Sequence, residues 1–247
     1  MDDRLVVGWI FIAIAVLALL LMGVPALRRW QRARSAERVE LGRGLRGGGE
    51  YVAVEGTAQA LDGEETVASP LEERECLAYT YRVQERRRRG GKSRGSRWVT
   101  IESDEATVPF ELDDGTGRVA VRPQEPTLLL SKRRTRQNHG RTRGVRVGSV
   151  RFGTRRQRHT ETRLEPGDFC CVVGQMQAAT EGGGHREIVP TNDGTALVIG
   201  DRPYRSVLRR LLGRALLMSL FALVFGGFGA VALLDYYGIV EVGFETG

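Results

Sequence analysis

The apolar positions of this 247-residue chain are concentrated in two uninterrupted blocks near its ends. No charged residue occurs from Leu5 to Leu27, and the stretch from Ala215 to Leu234 is equally free of charge. Each block has at least the roughly 20 residues that an α-helix needs to cross the hydrocarbon core of a bilayer. The pattern therefore predicts transmembrane helices over residues 5–27 and 215–234.

A cleaved signal peptide is the alternative interpretation of the first block, and its flanks disfavour it. Asp2 and Asp3 weaken the positive leader that such a peptide needs. Arg28, Arg29 and Trp30 stand where a cleavage site of small residues would be. We therefore expect the first block to be a permanent anchor.

Between the two blocks, from Tyr51 onward, short runs of β-type residues alternate with glycine, proline and aspartate. Nine candidate strands follow from this pattern: Tyr51 to Ala60, Leu77 to Glu85, Trp98 to Glu102, Thr107 to Leu112, Arg118 to Arg122, Thr127 to Leu130, Phe169 to Gln175, Arg186 to Val189 and Ala196 to Ile199. The predicted fold class is a membrane protein in which two transmembrane α-helices flank a β-rich soluble domain, an antiparallel barrel or sandwich.

The predicted organisation follows from these blocks and from the charge runs beside them. It comprises an N-terminal tail (1–4), transmembrane helix 1 (5–27), a basic linker with a short helical extension (28–50), the β domain (51–204) with basic insertions at 86–97 and 132–163, a basic juxtamembrane segment (205–214), transmembrane helix 2 (215–234) and a C-terminal tail (235–247).

Charge predicts the orientation of the two spans. The chain carries 37 Lys and Arg against 30 Asp and Glu, a net charge of +7. Arginines cluster at the inner end of each block: Arg28, Arg29, Arg32 and Arg34 after the first, and Arg205, Arg209, Arg210 and Arg214 before the second. Because basic residues near span ends are retained in the cytoplasm, we expect both termini outside the cell membrane and residues 28–206 inside.

The two basic insertions are the most informative feature of the domain. Residues 86–97 hold seven basic residues and no acid, and residues 132–163 hold twelve basic residues against Glu161 alone. The first predicts a long hairpin tip, and alternation around Val147 and Val150 predicts an edge hairpin in the second. The candidate contacts to an anionic surface are Arg86, Arg87, Arg88, Arg89, Lys92, Arg94, Arg97, Arg146 and Arg151.

Three interpretations of these basic residues are open. They contact anionic headgroups or an acidic protein, they lie in a solvated, disordered loop, or they bind nucleic acid. Stacking aromatics are scarce in the runs, with none between Arg86 and Arg97 and only Phe152 in the second. A domain tethered at both ends to a bilayer meets lipid headgroups first, so nucleic acid is the less favoured partner. An unidentified protein partner stays open.

The residues that could carry catalysis or bind metal have unsuitable spacing. The three cysteines, Cys76, Cys170 and Cys171, form no CxxC or CxxH pair with one another or with the three histidines. Cys170 and Cys171 are adjacent in a predicted strand, so their side chains should point to opposite faces. The run from Asp113 to Gly117 could bind a cation or phosphate, but between two β-type runs it fits a hairpin turn better. We expect no catalytic residues, no metal site and no cofactor.

Several short motifs, taken in order, resemble the GIDE or BAM (beside-a-membrane) domain family. They are Gly56-Thr57-Ala58, Ser69-Pro70-Leu71, Cys76, Tyr79, Val83, Trp98, Pro109-Phe110, Leu112, Asp113-Asp114-Gly115-Thr116-Gly117, Val119, Glu161, Leu164, Glu165-Pro166-Gly167-Asp168 and Val172-Val173-Gly174. The resemblance covers roughly residues 51 to 200, and the two flanking spans match the family's layout.

The resemblance implies a membrane module of ubiquitin or SUMO ligases, in which a zinc-binding RING finger follows the second span. Here thirteen residues follow Leu234, and none is cysteine or histidine, so we expect the RING to be missing. The cytoplasmic orientation predicted above is also opposite to that of the mitochondrial ligases of the family.

The functional hypothesis is a binding or scaffolding module at the membrane surface, not an enzyme. One alternative is a component of a ubiquitin-like modification pathway, which the resemblance implies and which would need a RING on another polypeptide. A second alternative is a membrane-tethered nucleic-acid binder. Gly226, Gly227 and Gly229 allow close packing of the second span on the first, or on another copy of the chain.

Overall fold

The structure is a computed structural model that describes residues 3–42, 49–88, 95–131, 133–138, 146–147, 150–151, 156–178, 186–191 and 197–237. The chain forms two compact units. Met1–Ser35 and Arg205–Gly247 make the first, and Ala36–Tyr204 makes the second.

The first unit consists of the predicted apolar helices. α1 (Asp3–Ala18) continues through a π-helical turn (Leu19–Gly23) into α2 (Val24–Ser35), and α3 spans Tyr204–Tyr236. Both helical stretches are long and apolar enough to cross a membrane. Each also continues past its apolar block, so the arginines of both basic flanks are helical.

Within this unit, α1 and α3 approach closely at Gly229. A Cβ at that position would lie 2.7 Å from Ile12 Cγ1 and 2.9 Å from the carbonyl oxygen of Gly8, closer than real Cβ atoms come. Gly226 faces Ala15, whereas nothing lies within 4 Å of the Cβ position of Gly227. Two of the three predicted packing glycines therefore contact the first helix, and a homo-oligomer through Gly226, Gly227 and Gly229 stays a prediction.

The second unit is built of sixteen strands among the described residues. They are β1 (Glu37–Arg38), β2 (Tyr51–Ala60), β3 (Val67–Ala68), β4 (Glu75–Cys76), β5 (Ala78–Arg88), β6 (Ser96–Thr107), β7 (Phe110–Asp113), β8 (Arg118–Val121), β9 (Thr127–Leu129), β10 (Arg133–Asn138), β11 (Arg146–Val147), β12 (Val150–Arg151), β13 (Gln157–Leu164), β14 (Phe169–Ala178), β15 (Arg186–Val189) and β16 (Val198–Gly200).

Five of these strands close into a barrel in the order β2-β7-β8-β15-β14, and β14 pairs back onto β2. All pairings are antiparallel except that of β8 with β15. A closed five-stranded barrel of this mixed kind is the architecture of OB-type folds. The predicted class, a β-rich domain between two apolar helices, is confirmed. The structure is a barrel and not a sandwich, and its parallel pairs go beyond the antiparallel expectation.

Apolar side chains fill the barrel because each strand alternates inward and outward positions. Phe110 and Leu112 of β7, Val119 and Val121 of β8 and Ile188 of β15 belong to one buried cluster. Cys170 is part of that cluster and its neighbour Cys171 is not, which confirms that the two thiols point to opposite sides of β14. Val39 and Leu41, in the segment predicted as a linker, pack against the same core.

The hairpin from Asp113 to Gly117 joins β7 to β8 and is the turn that the sequence predicts. Asp114 Oδ1 accepts hydrogen bonds from the N–H groups of Thr116 and Gly117, while its Oδ2 accepts one from Leu41 at 2.6 Å. Gly115 has φ +82°, which favours glycine. Burial alone would raise the pKa of Asp114, but the hydrogen bonds outweigh it and lower the pKa. Both carboxylate oxygens therefore have partners within the domain, one in the turn and one at Leu41.

The chain enters and leaves the second unit at neighbouring points. Glu55 on β2 accepts a hydrogen bond from the main-chain N–H of Tyr204 (2.5 Å) and an ion pair from Arg38 (2.8 Å). The Arg38 guanidinium lies over the Tyr204 ring, 5.8 Å from its centroid, and the Tyr204 hydroxyl donates to the carbonyl oxygen of Ala36. The first and last residues of the β domain therefore meet beside Glu55 on β2.

Candidate anion-binding surface

A second sheet, of four strands in the order β10-β13-β5-β6, is built from the two insertions predicted to be basic and the strands beside them. β5 and β6 form the long hairpin, which interrupts the barrel between β2 and β7. β13, from the later insertion, pairs with β5 so that Glu161 lies opposite Tyr81 and Gln157 opposite Glu85. This long-range pairing brings the two basic stretches onto one surface.

One face of this sheet collects arginines that are separated in sequence. Because side chains alternate along a strand, Arg82 and Arg86 of β5 share a face with Arg158 of β13. Arg156 lies next to Arg86, because the main-chain N–H of Arg86 donates a hydrogen bond to the carbonyl oxygen of Arg156. We call Arg82, Arg86, Arg156 and Arg158, together with Trp98 of β6, the arginine face.

The cations of the arginine face have no carboxylate partner among the described residues. No acidic oxygen lies within 4 Å of any of the four guanidinium groups there. Arg158 instead stacks on Trp98, 4.4 Å from the ring centroid, and its buried Nε atom has no hydrogen-bond partner. Arg86 Nε donates to Ser96 Oγ at 2.7 Å. The side chains of Arg82, Arg86 and Arg156 are exposed.

The opposite face of the sheet, which we call the compensated face, contains a buried ion-pair cluster centred on Glu161. Glu161 is fully buried and accepts hydrogen bonds from the N–H of Leu71 (2.7 Å) and from Arg163 (3.0 Å). Arg163 also pairs with Glu72 at 2.7 Å and with Glu165. Burial would lower the pKa of Arg163, but the three carboxylates raise it overall, so this arginine stays charged.

Aromatic side chains on the same compensated face bond to polar partners. The Tyr79 hydroxyl donates to Asp104 at 2.8 Å, and Tyr81 shares a 2.7 Å hydrogen bond with His159 Nδ1. Burial and the bond to Asp104 raise the pKa of Tyr79 to about 12. These contacts, with the loop that carries Leu71, satisfy the part of this face around Glu161. The exposed side chains of Arg97 and Arg136, towards the edges of the same face, have no carboxylate partner among the described residues.

The arginines singled out from the sequence are divided by this geometry. Arg86 lies on the arginine face, whereas Arg87 and Arg97 pair across β5 and β6 on the compensated face, where Arg87 bonds Glu85 at 3.2 Å. The backbone of Arg88 lies in β5 opposite Ser96. The backbones of Arg146 and Arg151 lie opposite each other in β11 and β12. Arg89, Lys92 and Arg94 lie outside the described residues.

Sequence reasoning missed Arg82, Arg156, Arg158 and Trp98. The signal was the alternation of Arg82, Gln84 and Arg86, which places all three on one side of a strand. In the second basic stretch, the sequence pattern predicts no strand over residues 157–164. Only the pairing of β13 with β5 shows which cations meet.

The cysteines are buried and their thiols are poor acids. Burial, with Glu161 nearby, raises the pKa of Cys76 to about 11, and burial with Glu55 nearby raises that of Cys171 to about 12. Desolvation also raises the pKa of Cys170 well above its ordinary value. Among the described residues, no group of three or more His, Cys, Asp or Glu side chains is arranged to hold a metal ion.

Fold and surface together define a β-barrel domain carried between two apolar helices, with a four-stranded sheet that presents uncompensated arginines. A family model for GIDE, described as E3 ubiquitin ligase, matches residues 80–234, from β5 to the end of the second apolar helix. The match spans more than half of the chain, which therefore belongs to the GIDE family. No curated protein and no solved structure matches it.

Proposed function

We propose that this chain is a membrane-anchored binding module. In this proposal two transmembrane helices hold the GIDE domain on the cytoplasmic side of the cell membrane, and the arginine face binds an anionic partner there. The observation that carries the proposal is the cluster of four arginines that have no carboxylate partner among the described residues. Catalysis by this chain forms no part of the proposal.

The arginine face differs energetically from the paired arginines elsewhere in the domain. An exposed ion pair within a protein contributes about 0–1 kcal/mol to stability. An arginine that instead meets an anionic surface contributes about 1 kcal/mol to binding. Arg82, Arg86 and Arg156 therefore have little to contribute to the fold and more to contribute to a contact outside the chain.

The cytoplasmic orientation rests on the basic ends of the two apolar helices. Four arginines lie in α2 and four in the first three turns of α3: Arg28, Arg29, Arg32 and Arg34, then Arg205, Arg209, Arg210 and Arg214. Both groups are at the ends that join the β domain. The positive-inside rule favours that side as cytoplasmic.

Anion binding is tested with two triple variants of equal net charge. The face variant carries Arg82→Gln, Arg86→Gln and Arg156→Gln. The paired variant carries Arg87→Gln, Arg118→Gln and Arg122→Gln, all at arginines that have ion pairs within the domain. We expect the full-length face variant, in detergent, to elute from immobilised heparin at lower salt than the paired variant, because binding to a polyanion follows the number of cations that reach it.

Equal elution of the two variants would contradict the proposal, because it would show that net charge alone and not the arginine face determines binding. Circular dichroism of both variants checks that the β domain remains folded in each case.

Orientation is tested by a single added cysteine at Ser103, an exposed position opposite Arg82 in β6. The three native thiols can stay because they are buried and have raised pKa values. We expect a membrane-impermeant maleimide to label the Ser103→Cys variant only in lysed cells. Labelling of intact cells would place the domain outside and remove cytoplasmic partners.

A second candidate function follows from the family match, whose description is E3 ubiquitin ligase. We propose it as the alternative: the chain supplies the membrane module of a ubiquitin-like modification system. It requires that a carrier enzyme co-purifies with the full chain and that modifying activity is lost when zinc is chelated. If neither is observed in the native host, this alternative is excluded.

A further inference from the structure

We infer that the arginine face binds the anionic phospholipid headgroups of the membrane in which its own chain is anchored. This inference rests on the proposed function and names its partner. Three features of the described residues favour it over a nucleic acid: the short helical connections to the apolar blocks, the two-dimensional layout of the arginines, and the environment of Trp98.

The connections between domain and apolar helices are short and helical. α2 runs only to Ser35, about 12 Å of helix beyond Leu27, and β1 begins at Glu37. α3 begins at Tyr204, about 16 Å of helix before Ala215. Since a bilayer has several ångströms of headgroups on each side of its core, the chain keeps the domain within reach of them. Tethering converts a weak contact into an intramolecular one with a high effective concentration.

The arginines are spread over an area and do not follow a line. Arg82 and Arg86 are four residues apart on β5, about 13 Å, and Arg158 is on the neighbouring strand, about 4.8 Å to one side. Lipids diffuse laterally, so separate headgroups can each meet one guanidinium in such an array. A single nucleic-acid strand needs a continuous basic track instead.

Trp98 is not available as a stacking platform for bases. Its ring is half-buried, and the Arg158 guanidinium already lies over it at 4.4 Å. This stacking holds Arg158 in place with its charge still free for a phosphate. Nucleic-acid binding of single strands uses exposed aromatic rings, and no other aromatic of the described residues lies on this face.

The barrel does not provide a nucleic-acid platform either. OB-type barrels bind oligonucleotides on the second and third strands of the barrel, which correspond to β7 and β8 here. The outer side of these strands carries Glu111 and Asp113, and Arg118 pairs with both, at 3.4 Å and 3.0 Å. This surface is compensated and offers no cluster of free cations.

The test measures how lipids protect the arginine face of the full chain. The Ser103→Cys variant is reconstituted in nanodiscs of phosphatidylcholine alone, or of phosphatidylcholine with an equal amount of phosphatidylglycerol, and labelled with an uncharged maleimide. We expect labelling to be at least about fivefold slower in the anionic discs. When the three substitutions of the face variant are combined with Ser103→Cys, the difference between the two discs should disappear. When the three substitutions of the paired variant are combined with it, the difference should remain. A cysteine at exposed Glu102, on the compensated face, should label equally in both discs.

The remaining outcomes separate the inference from the proposed function. If a single-stranded oligonucleotide protects Ser103→Cys in neutral discs and anionic lipid does not, the partner is nucleic acid: the lipid inference fails and anion binding by the arginine face stands. If neither anion slows labelling and both variants elute equally from heparin, both proposals fail. Equal labelling in both discs with unequal heparin elution overturns the lipid partner alone.

Discussion

The barrel and the second sheet place their charges in different ways. In the barrel, outward charges are paired: Arg118 with Asp113 at 3.0 Å, and Arg122 with Glu187 at 3.0 Å. The second sheet has one such compensated face, centred on Glu161, and one face whose arginines have no carboxylate within reach among the described residues. The barrel and the cluster around Glu161 therefore hold their charges within the fold, while the arginine face presents cations that no described carboxylate meets.

The largest effect that this comparison predicts lies in the barrel core. Phe110 is fully buried, so Phe110→Ala should reduce the free energy of unfolding by about 3–5 kcal/mol. Ile101→Ala, in β6 of the second sheet, should change it by less than about 0.5 kcal/mol because Ile101 is exposed. Chemical denaturation of the full chain in micelles, followed by circular dichroism, measures both. Similar losses for the two variants would contradict the exposure of Ile101 and its small contribution to the fold.

The next largest effect lies on the compensated face. Arg163→Met leaves the buried carboxylate of Glu161 without its cation, although the Leu71 N–H still donates to it. We expect a loss of about 3 kcal/mol, the lower end of the range for breaking a buried pair. The same change on the arginine face, Arg82→Met, should cost little because Arg82 is exposed. Equal effects in denaturation would show that the two faces do not differ.

The sequence predicted some elements of this structure and missed others. The long stretches without charge predicted both apolar helices. The alternation of apolar and polar residues predicted β2 and β15 with their observed bounds, because in these elements the apolar residues are the buried ones. β13 was missed because its buried positions include Glu161 and Arg163, which pair with residues far away in sequence. A polarity pattern cannot identify a buried ion pair.

The arginine face was predictable only in part. Alternation along β5 fixes that Arg82 and Arg86 share a side, but not which side is exposed. That depends on the loop around Leu71, which covers the other face through its bond to Glu161. It also depends on the register of β13, which brings Arg158 beside them. Both are long-range contacts, so the sequence indicated a basic insertion and not a surface.

Alkaline pH should weaken the β domain through its thiols. The folded chain keeps the protons of Cys76 and Cys171 up to pKa values of about 11 and 12, whereas unfolded thiols titrate near 9. This stabilisation is complete below pH 9 and is lost as the pH rises through the folded values. We expect a loss of up to about 1.4 kcal/mol per thiol for each pH unit between 9 and the folded pKa of that thiol. Denaturation at pH 7.5 and pH 10 measures it.

The control for this pH dependence is the Cys171→Ala variant, which removes one titrating thiol and should flatten the decline. A decline as steep as that of the unaltered chain would show that other groups cause the alkaline loss. Fast reaction of the native thiols with a neutral reagent at pH 7.5 would contradict their burial.

The smallest expected effect is the change in the free energy of unfolding of the face variant, whose sign should be opposite to that of the paired variant. The face variant should raise the free energy of unfolding by a few tenths of a kcal/mol, about 0.2–0.5, because it removes like charges from neighbouring positions of a sheet. The paired variant should lower it instead, because Arg87 and Arg118 lose exposed ion pairs and Arg122→Gln leaves the buried carboxylate of Glu187 without its cation. Parallel denaturation of the two variants, at low salt, measures both signs. If the face variant were the less stable one, the arginines would have partners within the domain, and the contrast between the two faces of the second sheet would disappear.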